Sequence, residues 1–332
     1  MPDYRRIIEE RERQTLSPYA ALSAETRGRE YPIDPCPVRT AFVRDRDRII
    51  HCKSFRRLKH KTQVFLSPIG DHYRTRLTHT LEVAQIARTI ARGLLLNEDL
   101  TEAIAIGHDL GHTPFGHSGE SVLNRIVPGG FEHNKQSLRI VEKLENGKGL
   151  NLTFEVRDGI LNHKKSGHPS TLEGVVVSLA DRIAYVNHDI DDAVRAGLLS
   201  NDILPKSCIE AIGATHGERI NTLVLDILQT SSGKDHVEMS GEISSEFEKL
   251  RQFLFDNLYH DSAAKAEEGK AEGVIERLYY HYLKHVSELP PEFTKYIDED
   301  GPDRIAADYI ACMTDRYAVR DYTRLFVPAD WA

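Results

Sequence analysis

The chain has 332 residues, with 43 basic side chains, 51 acidic side chains and a net charge of −8. This balance argues against binding nucleic acid or a membrane surface over a wide area, so any anion site must be local. The four cysteines are widely spaced and form no C-x-x-C pair, which argues against a disulfide framework and a thiolate zinc site. Because the N-terminus is polar and no apolar run approaches the ~20 residues of a membrane helix, we expect a soluble cytoplasmic protein.

Two segments precede the first strongly periodic helix. Residues 1–36 are charged at first and are then broken up by Pro and Gly, which predicts an arm with little chemistry of its own. Between Arg39 and Lys61, nine Lys or Arg residues stand against two Asp residues. A solvated helix face and a site for a triphosphate-sized anion both remain open for this run, since Arg forms bidentate phosphate contacts.

The apolar periodicity of the remaining chain is helical throughout. It predicts one helix that leads through His108 as far as His112, and further helices over 78–92, 131–146, 154–163, 172–196, 215–230, 240–260, 263–287 and 303–325. The sequence has no β-alternating run, no internal repeat and no Gly-rich phosphate loop. The predicted fold class is therefore all-α.

Two of the predicted helices each carry a histidine on the apolar face. His79 lies one turn before Val83, which begins a stripe spaced i, i+3, i+4, i+7. His108 continues the stripe that Leu100 and Ile104 begin on the next helix. A lone histidine on such a face is more often a core residue than a ligand, but two of them on successive helices favour a site.

Carboxylates accompany both histidines. Asp109 is adjacent to His108, and Asp181 follows the apolar run 175–180 on a third helix, where a buried carboxylate needs a cation or a hydrogen-bond partner. Asp191 and Asp192, further along that helix, are interpreted as facing solvent. Two imidazoles and two carboxylates suit a divalent metal, and Mg, Mn, Fe, Co and Zn all remain open.

The ordered set H…HD…D resembles the HD-domain superfamily of metal-dependent phosphohydrolases. Longer phrases, spread over about residues 39–327, resemble the deoxyguanosinetriphosphate triphosphohydrolase-like family; they are T-R-L-T-H-T-L-E-V from Thr75, G-H-D-L-G-H-T-P-F-G-H from Gly107, S-L-A-D-R-I-A-Y from Ser178 and D-Y-I-A-C-M-T-D-R-Y from Asp308. The second and fourth phrases are highly specific. Cys312 stands where the family pattern leads us to expect Gly, which bears on local packing.

The resemblance implies a single all-α domain over residues 1–332, with an HD core that carries the metal site at 73–193. Helices would extend this core at both ends, as the N-terminal arm 1–36 and as a helical C-terminal subdomain at 200–332. The implied reaction is metal-dependent hydrolysis of a deoxynucleoside triphosphate to deoxynucleoside and inorganic triphosphate. In that reaction water attacks the α-phosphorus while negative charge builds on the leaving O5′.

Site residues follow from the same resemblance. The matching metal ligands are His79, His108, Asp109 and Asp181. His117 matches the general acid, and Glu120 would hold its tautomer and raise its pKa. The remaining matches are substrate contacts: His112, His133 and Arg76 for the α-phosphate, Arg182 and less specifically Arg57 for the outer phosphates, Gln63 and Asp189 for the sugar 3′-hydroxyl, and Tyr185 for the sugar ring.

Two other functions remain open on the sequence. An HD-domain nucleotidase or phosphodiesterase acting on mono- or cyclic nucleotides would use the same ligands, but it leaves the basic run and the C-terminal phrase without a purpose. A nucleotide-sensing or single-strand-binding protein with a vestigial site fits the complete ligand set poorly. The resemblance further implies a homo-oligomer, tetramer or hexamer, with a dNTP or single-stranded DNA as a possible effector and no membrane partner.

Overall fold

The structure, a computed structural model, describes residues 3–63, 74–195, 199, 203–258 and 262–328. These residues form helices joined by turns and contain no β-strand, which confirms the all-α prediction. The helices, numbered in chain order, are α1 (Tyr4–Thr15), α2 (Ala41–Ile50), α3 (Lys53–Arg57), α4 (Arg76–Gly93), α5 (Glu98–Gly107), α6 (Gly116–Ile126), α7 (His133–Arg139), α8 (Phe154–Asn162), α9 (Leu172–Arg195), α10 (Lys206–Ile212), α11 (His216–Ser231), α12 (Gly241–Leu258), α13 (Ser262–Lys284), α14 (Pro291–Thr294), α15 (Ile297–Ala311) and α16 (Asp315–Phe326).

The chain divides into two compact units, and neither is continuous in sequence. The first unit comprises Met1–His51, His79–His108 and Asn151–Asp261. The second comprises Cys52–Thr78, Asp109–Leu150 and Ser262–Ala332. The predicted division into arm, HD core and C-terminal subdomain stays a prediction.

In the first unit, α5 packs against α2, α8 and α9, and α9 packs against α11 and α12. The Asn97 side chain caps α5 by accepting from the Leu100 amide at 3.1 Å. The apolar stripes predicted on α4 and α5 are buried, and His79 and His108 are buried with them, at 1% and 0% exposure. Both histidines therefore lie on inward faces, as their spacing predicts.

In the second unit, α13 packs against α6, α15 and α16 around an apolar cluster that includes Phe131, Ile275 and Ile310. A π turn, Ile140–Leu144, continues α7. The chain kinks at Gly301, whose φ of 78° lies in the left-handed region that glycine tolerates. None of the helices among the described residues is long and apolar enough to span a membrane.

Three predictions about the helices are wrong. The helix before His108 ends at Gly107, so His112 lies beyond the helix, just after a short turn. The helix predicted over 303–325 is two helices, because Thr314 starts α16 by accepting from the Tyr317 amide at 3.2 Å. Asp192 is only 4% exposed, since α9 is packed by helices on several sides.

Candidate functional site

The first cluster consists of His79, His108 and Asp181 in the first unit. The Oδ1 atom of Asp181 lies 3.0 Å from Nε2 of His79 and 3.5 Å from Nε2 of His108. Burial raises the pKa of Asp181, but hydrogen bonds from His108 and His79, which require a proton on Nε2 of each ring, outweigh this and hold it well below its ordinary value. One ligand atom from each residue lies within 4.8 Å of the others, a spacing that fits a metal ion.

In each imidazole Nδ1 is the outer nitrogen, the one that does not face Asp181. Its hydrogen-bond partner determines whether Nε2, which faces Asp181, carries a proton or a lone pair. Nδ1 of His108 lies 2.6 Å from the Ala105 carbonyl oxygen, which only accepts, so this nitrogen carries the proton. Nε2 of a neutral His108 then directs a lone pair at a carboxylate oxygen. A lone pair that faces a carboxylate oxygen is unfavourable unless a proton or a metal ion lies between the two atoms, so with that proton removed the donor set fits a divalent metal.

His188 fixes the orientation of His79 in the same way. Nε2 of His188 lies 2.9 Å from the Glu82 carboxylate, and its Nδ1 lies 3.2 Å from Nδ1 of His79. With the His188 proton donated to Glu82, His79 donates from Nδ1 and keeps the Nε2 lone pair toward Asp181. His188 is not among the predicted site residues, although it lies seven residues, two helical turns, after Asp181 on α9.

His163 is a second neighbour without a role in the sequence analysis. It is 2% exposed, and its ring centroid lies 5.0 Å from that of His108. Its Nδ1 atom lies 2.8 Å from the Ile160 carbonyl oxygen, which holds the ring in place. No spacing signal in the sequence connects His163 with His108.

The second cluster consists of Arg76, Asp109, His112, Glu120 and His133 in the second unit. Nη1 of Arg76 donates to Oδ2 of Asp109 at 2.9 Å, and Nε2 of His112 lies 3.2 Å from Oδ1 of Asp109. Burial and then the Arg76 charge lower the pKa of His112 well below its ordinary value. The free protein therefore holds His112 as a neutral imidazole beside a buried guanidinium, an arrangement suited to an anion.

His133 stacks on His112, with ring centroids 4.0 Å apart and an angle of 14° between the planes. Its Nδ1 lies 2.9 Å from both Glu120 oxygens, and its amide donates to Glu120 at 2.9 Å. Nδ1 of His117 is further from Glu120, at 3.7 Å, and the His117 side chain is 59% exposed. Glu120 thus contacts both histidines, and its contacts with His133 are the shorter ones.

The turn that carries this cluster needs two glycines. A Cβ atom on Gly111 would lie 2.2 Å from the Ser137 amide nitrogen, so only glycine lets this turn approach α7. Gly116 has a φ of 56°, and a Cβ there would lie 2.9 Å from Nη2 of Arg76. Phe115, just before it, has a φ of 60° and forms the predicted break ahead of His117.

Residues of the C-terminal phrase support the second cluster. Asp315 accepts from the amides of Phe115 at 3.0 Å and Thr62 at 2.8 Å. The fully buried Lys61 amine donates to the His112 carbonyl and, at 2.7 Å, to the Ala311 carbonyl, and burial lowers its pKa to about 8. The C-terminal phrase therefore has a structural purpose, so it no longer discriminates between the reactions considered for an HD enzyme.

The same phrase anchors the helix that carries His133. Asp308 is fully buried and accepts from Gln136 at 2.9 Å and from Nη2 of Arg139 at 2.7 Å, both on α7. Cys312, which stands where the family pattern has Gly, has a φ of −78°. That conformation is open to any residue, so the departure causes no backbone strain.

The remaining predicted substrate residues are divided between the units. In the first unit, Arg182 pairs with Glu248, Tyr185 is half-buried and Asp189 is fully buried. In the second unit, Gln63 is 5% exposed, and Arg57 lines a cavity of about 250 Å³. Asp109 likewise belongs to the second unit, so the structure brings three of the four predicted metal ligands together, and the fourth stays a prediction.

Comparison with known proteins agrees with this description of the fold. The HD domain model matches residues 76–186, and the phosphohydrolase-associated domain model matches residues 237–324. A phosphohydrolase from Bacteroides thetaiotaomicron has a related fold, with a TM-score of 0.54 at 16% identity over 84% of this chain and 68% of that chain. An all-α HD domain with a buried His-His-Asp cluster defines a metal-dependent phosphohydrolase.

Relatives that match almost the whole chain identify the family within this class of phosphohydrolases. A deoxyguanosinetriphosphate triphosphohydrolase-like protein of Caldanaerobacter subterraneus is 60% identical over 98% of this chain and 97% of its own length. Proteins of the same name from Clostridium perfringens, 52% identical over 98% of both chains, and Geobacter sulfurreducens, 42% identical over 96% of both, are also similar. The chain belongs to the deoxyguanosinetriphosphate triphosphohydrolase-like family.

Proposed function

We propose that this phosphohydrolase cleaves a deoxynucleoside triphosphate between O5′ and the α-phosphorus, releasing a deoxynucleoside and inorganic triphosphate. The observation that carries this proposal is the full-length similarity to relatives called deoxyguanosinetriphosphate triphosphohydrolase-like proteins. That name specifies a deoxynucleoside triphosphate as the substrate and triphosphate as the group that is hydrolysed. The two histidine clusters support it, because one has the donor set of a metal site and the other has the charges of an anion site.

The first cluster holds the metal in this proposal. His79 and His108 supply Nε2 lone pairs, Asp181 supplies a carboxylate oxygen, and Asp109 is the proposed fourth ligand. When bound, a divalent metal supplies Lewis-acid polarisation of a phosphate oxygen and a template for the substrate. Its identity among Mg, Mn, Fe, Co and Zn is left to experiment.

The second cluster binds the α-phosphate. The Arg76 guanidinium offers fixed donors, and an arriving anion offsets the effect of Arg76 on His112, which favours a doubly protonated imidazole. The Glu120 carboxylate holds the His133 ring through Nδ1, and in this proposal Nε2 of that ring donates to a phosphate oxygen. These donors stabilise the charge that grows on the phosphoryl oxygens as water attacks.

His117 is the proposed general acid for the leaving O5′. It is exposed, which gives it room to rotate toward a substrate atom, and Glu120 lies within 3.7 Å to orient the ring. Replacing His117 with Ala should therefore lower kcat with little change in KM.

The remaining substrate contacts are proposed from the resemblance. Gln63 and Asp189 bind the 3′-hydroxyl, and Tyr185 packs on the sugar, where it would crowd a 2′-hydroxyl. Arg182 and Arg57 bind the outer phosphates. Arg182 must first exchange Glu248, its partner on α12, for phosphate oxygens.

A panel of the four dNTPs, singly and in pairs, with Mg, Mn and Co tests the reaction. Ion chromatography of the products should show inorganic triphosphate in a 1:1 ratio with deoxynucleoside, and His117→Ala is the matched control. Pyrophosphate or orthophosphate would contradict the proposal. Turnover of mono- or cyclic nucleotides, with none of dNTPs, would establish the alternative HD-enzyme reaction.

We further propose a homo-oligomer, tetramer or hexamer, with a second dNTP or single-stranded DNA as effector. Both statements rest on the resemblance alone. Light scattering of the purified protein tests the assembly, and a monomer would contradict it. Rates for paired dNTPs that equal the sum of the single rates, with no response to single-stranded DNA, would contradict an effector.

A further inference from the structure

Two histidines and a glutamate lie together at the C-terminal end of α13, in the second unit. His281 lies in the last turn of the helix, and His285 follows it, with its amide still donating to the His281 carbonyl at 2.9 Å. This spacing of four residues places both imidazoles on one side. Glu288 ends the short 3₁₀ turn Val286–Glu288. We call these three residues the α13 cluster; none of them belongs to the two clusters described above.

Glu288 contacts both imidazoles. Its Oε2 atom lies 3.0 Å from Nε2 of His281, and its Oε1 atom lies 4.0 Å from Nδ1 of His285. The two rings lie side by side, with centroids 4.6 Å apart and an angle of 32° between their planes. Two ligand atoms on one tetrahedral zinc ion are about 3.3 Å apart, since each lies about 2.0–2.2 Å from the metal. His281 and Glu288 are thus close to this spacing, and the His285 ring must rotate toward them.

The two imidazoles differ in their freedom to move. The His281 side chain is 16% exposed and packs edge-on against the rings of Tyr282 and Phe326, with centroids 5.1 and 5.8 Å away. Such packing fixes the orientation of a ligand before the metal arrives. The His285 side chain is 54% exposed, so its ring can rotate toward Glu288 without disturbing the core. The cluster therefore supplies one fixed imidazole and one that can adjust.

The charges around Glu288 favour its ionised form. The hydrogen bond from His281 is the main cause that lowers the pKa of Glu288, and the Arg324 charge contributes. Arg324 itself pairs with Asp321 at 2.9 Å, so its guanidinium has a carboxylate partner outside the cluster. A metal ion replaces the proton that His281 shares with Glu288, as metal ligands bind in their deprotonated form.

We propose that the α13 cluster is a second metal site, which binds a transition-metal ion of the group Zn, Co, Ni and Cu. Two imidazoles and one carboxylate are a known zinc donor set, and imidazole suits all four ions, whereas Mg, Ca and Mn prefer oxygen ligands. The first cluster has a second proposed carboxylate in Asp109 and can take Mn as well. The bound ion holds the end of α13 to the turn Val286–Glu288. This site is independent of the proposed reaction, because it shares no residue with the catalytic machinery.

Calorimetric titration with Zn compares the native protein with His285→Ala. The variant should bind one equivalent of Zn fewer, because only two ligands remain at the cluster. Both proteins should bind the same number of equivalents of Mn. His285 is more than half exposed, so its replacement removes little packing from the fold. Glu288→Gln loses the charged oxygen ligand and should weaken the same Zn equivalent by about tenfold.

His236→Ala is the matched control. The His236 side chain is 52% exposed and lies 3.0 Å from Asp235 and 3.5 Å from Glu238, so it has carboxylate neighbours but no histidine four residues away. It should bind as many equivalents of Zn as the native protein. His108→Ala should lose a different equivalent, one that Mn also occupies, so a failure at the first cluster is distinguishable from a failure at the α13 cluster.

The inference is overturned if His285→Ala binds as many equivalents of Zn as the native protein, with the same affinities. Loss of an equivalent in His236→Ala would also overturn it, because any exposed histidine beside carboxylates would then be sufficient. A lower number of Mn equivalents in His285→Ala would contradict the proposed class of metal.

Discussion

The two histidine clusters have similar donor atoms but different surroundings. In the first, the outer nitrogens of His79 and His108 lie against His188 and a backbone carbonyl, which directs two lone pairs at one carboxylate oxygen. In the second, Arg76 already pairs with Asp109, and its charge helps to keep His112 neutral. Asp109, His112 and His133 of the second cluster also place one ligand atom each within 4.8 Å of the others. That spacing alone therefore does not define a metal site, because the partners of the outer atoms decide between a cation and an anion.

Removal of a histidine ligand from the first cluster should have the largest effect on kcat. His108→Ala removes a proposed ligand from a fully buried position, and we expect kcat to fall by about 10³-fold or more. Steady-state rates with saturating dNTP and Mn measure this effect. His236→Ala, at a half-exposed histidine outside both clusters, is the matched control and should keep its rate. A rate for His108→Ala within tenfold of the native protein would remove the distinction between the clusters.

Loss of a donor in the second cluster should have a somewhat smaller effect. His133→Ala removes the imidazole that Glu120 holds, and we expect kcat to fall by about 10²–10³-fold. His133→Gln, which keeps a side-chain donor, should retain part of the rate. Single-turnover measurements separate this loss from slow product release. Equal rates in the Ala and Gln variants would indicate that the donor itself is not used.

The His188–Glu82 pair orients His79, a proposed metal ligand, and neither residue is among the proposed substrate contacts. His188→Ala should weaken metal binding by about 10–100-fold, and Glu82→Gln should weaken it less. Calorimetric titration with Mn measures the affinity, and the visible spectrum of the Co-loaded protein reports any change in ligand geometry. An unchanged affinity and spectrum in His188→Ala would show that His79 needs no such support.

Glu173 allows the stability of the fold to be tested separately from catalysis, because it lies in the first unit but outside the first cluster. Burial raises its pKa to about 7 in spite of bonds from the Asn97 and Ala21 amides. A carboxyl group with a raised folded pKa contributes stability that is fully present below its unfolded pKa, about 4.5, and is lost as the pH rises through about 7.

Glu173→Gln stays neutral at all these values, so it should raise the free energy of unfolding at pH 8 by about 1–2 kcal/mol and have little effect at pH 4.5. Urea unfolding at the two pH values measures this, with the exposed Glu238→Gln as control. A stabilisation of equal size at both pH values would contradict the linkage. The rate constants for hydrolysis should remain those of the native protein.

Helical periodicity in the sequence was sufficient to predict the features that depend on a single helix. Apolar stripes on α4 and α5 correctly predicted that His79 and His108 are buried, because a histidine in register with a stripe points the same way as its neighbours. Thr314 followed by an Asp was an available N-cap signal for the break ahead of α16, but continuing periodicity concealed it. Asp192 was misassigned because a helix packed on several sides has no solvent face.

Features that depend on tertiary contacts could not be predicted in this way. The three-residue spacing of His117 and Glu120 predicted a local pair, yet the shorter contacts of Glu120 reach His133, thirteen residues further on. The edge-to-face contact of His163 with His108 likewise joins the end of α8 to the end of α5 without a signal in either segment. Spacing in the sequence shows which side chains a single helix can bring together. The packing of other elements determines which of the possible partners a side chain contacts.

The Mn affinity of one variant from each cluster shows which of the two clusters binds the metal. Calorimetric titration of Mn into the native protein, His108→Ala and His133→Ala, in the absence of substrate, compares the clusters under one condition. We expect His108→Ala to lose measurable Mn binding and His133→Ala to bind Mn within about threefold of the native affinity. Loss of binding in His133→Ala, with binding retained in His108→Ala, would contradict the assignment of metal to the first cluster and anion to the second.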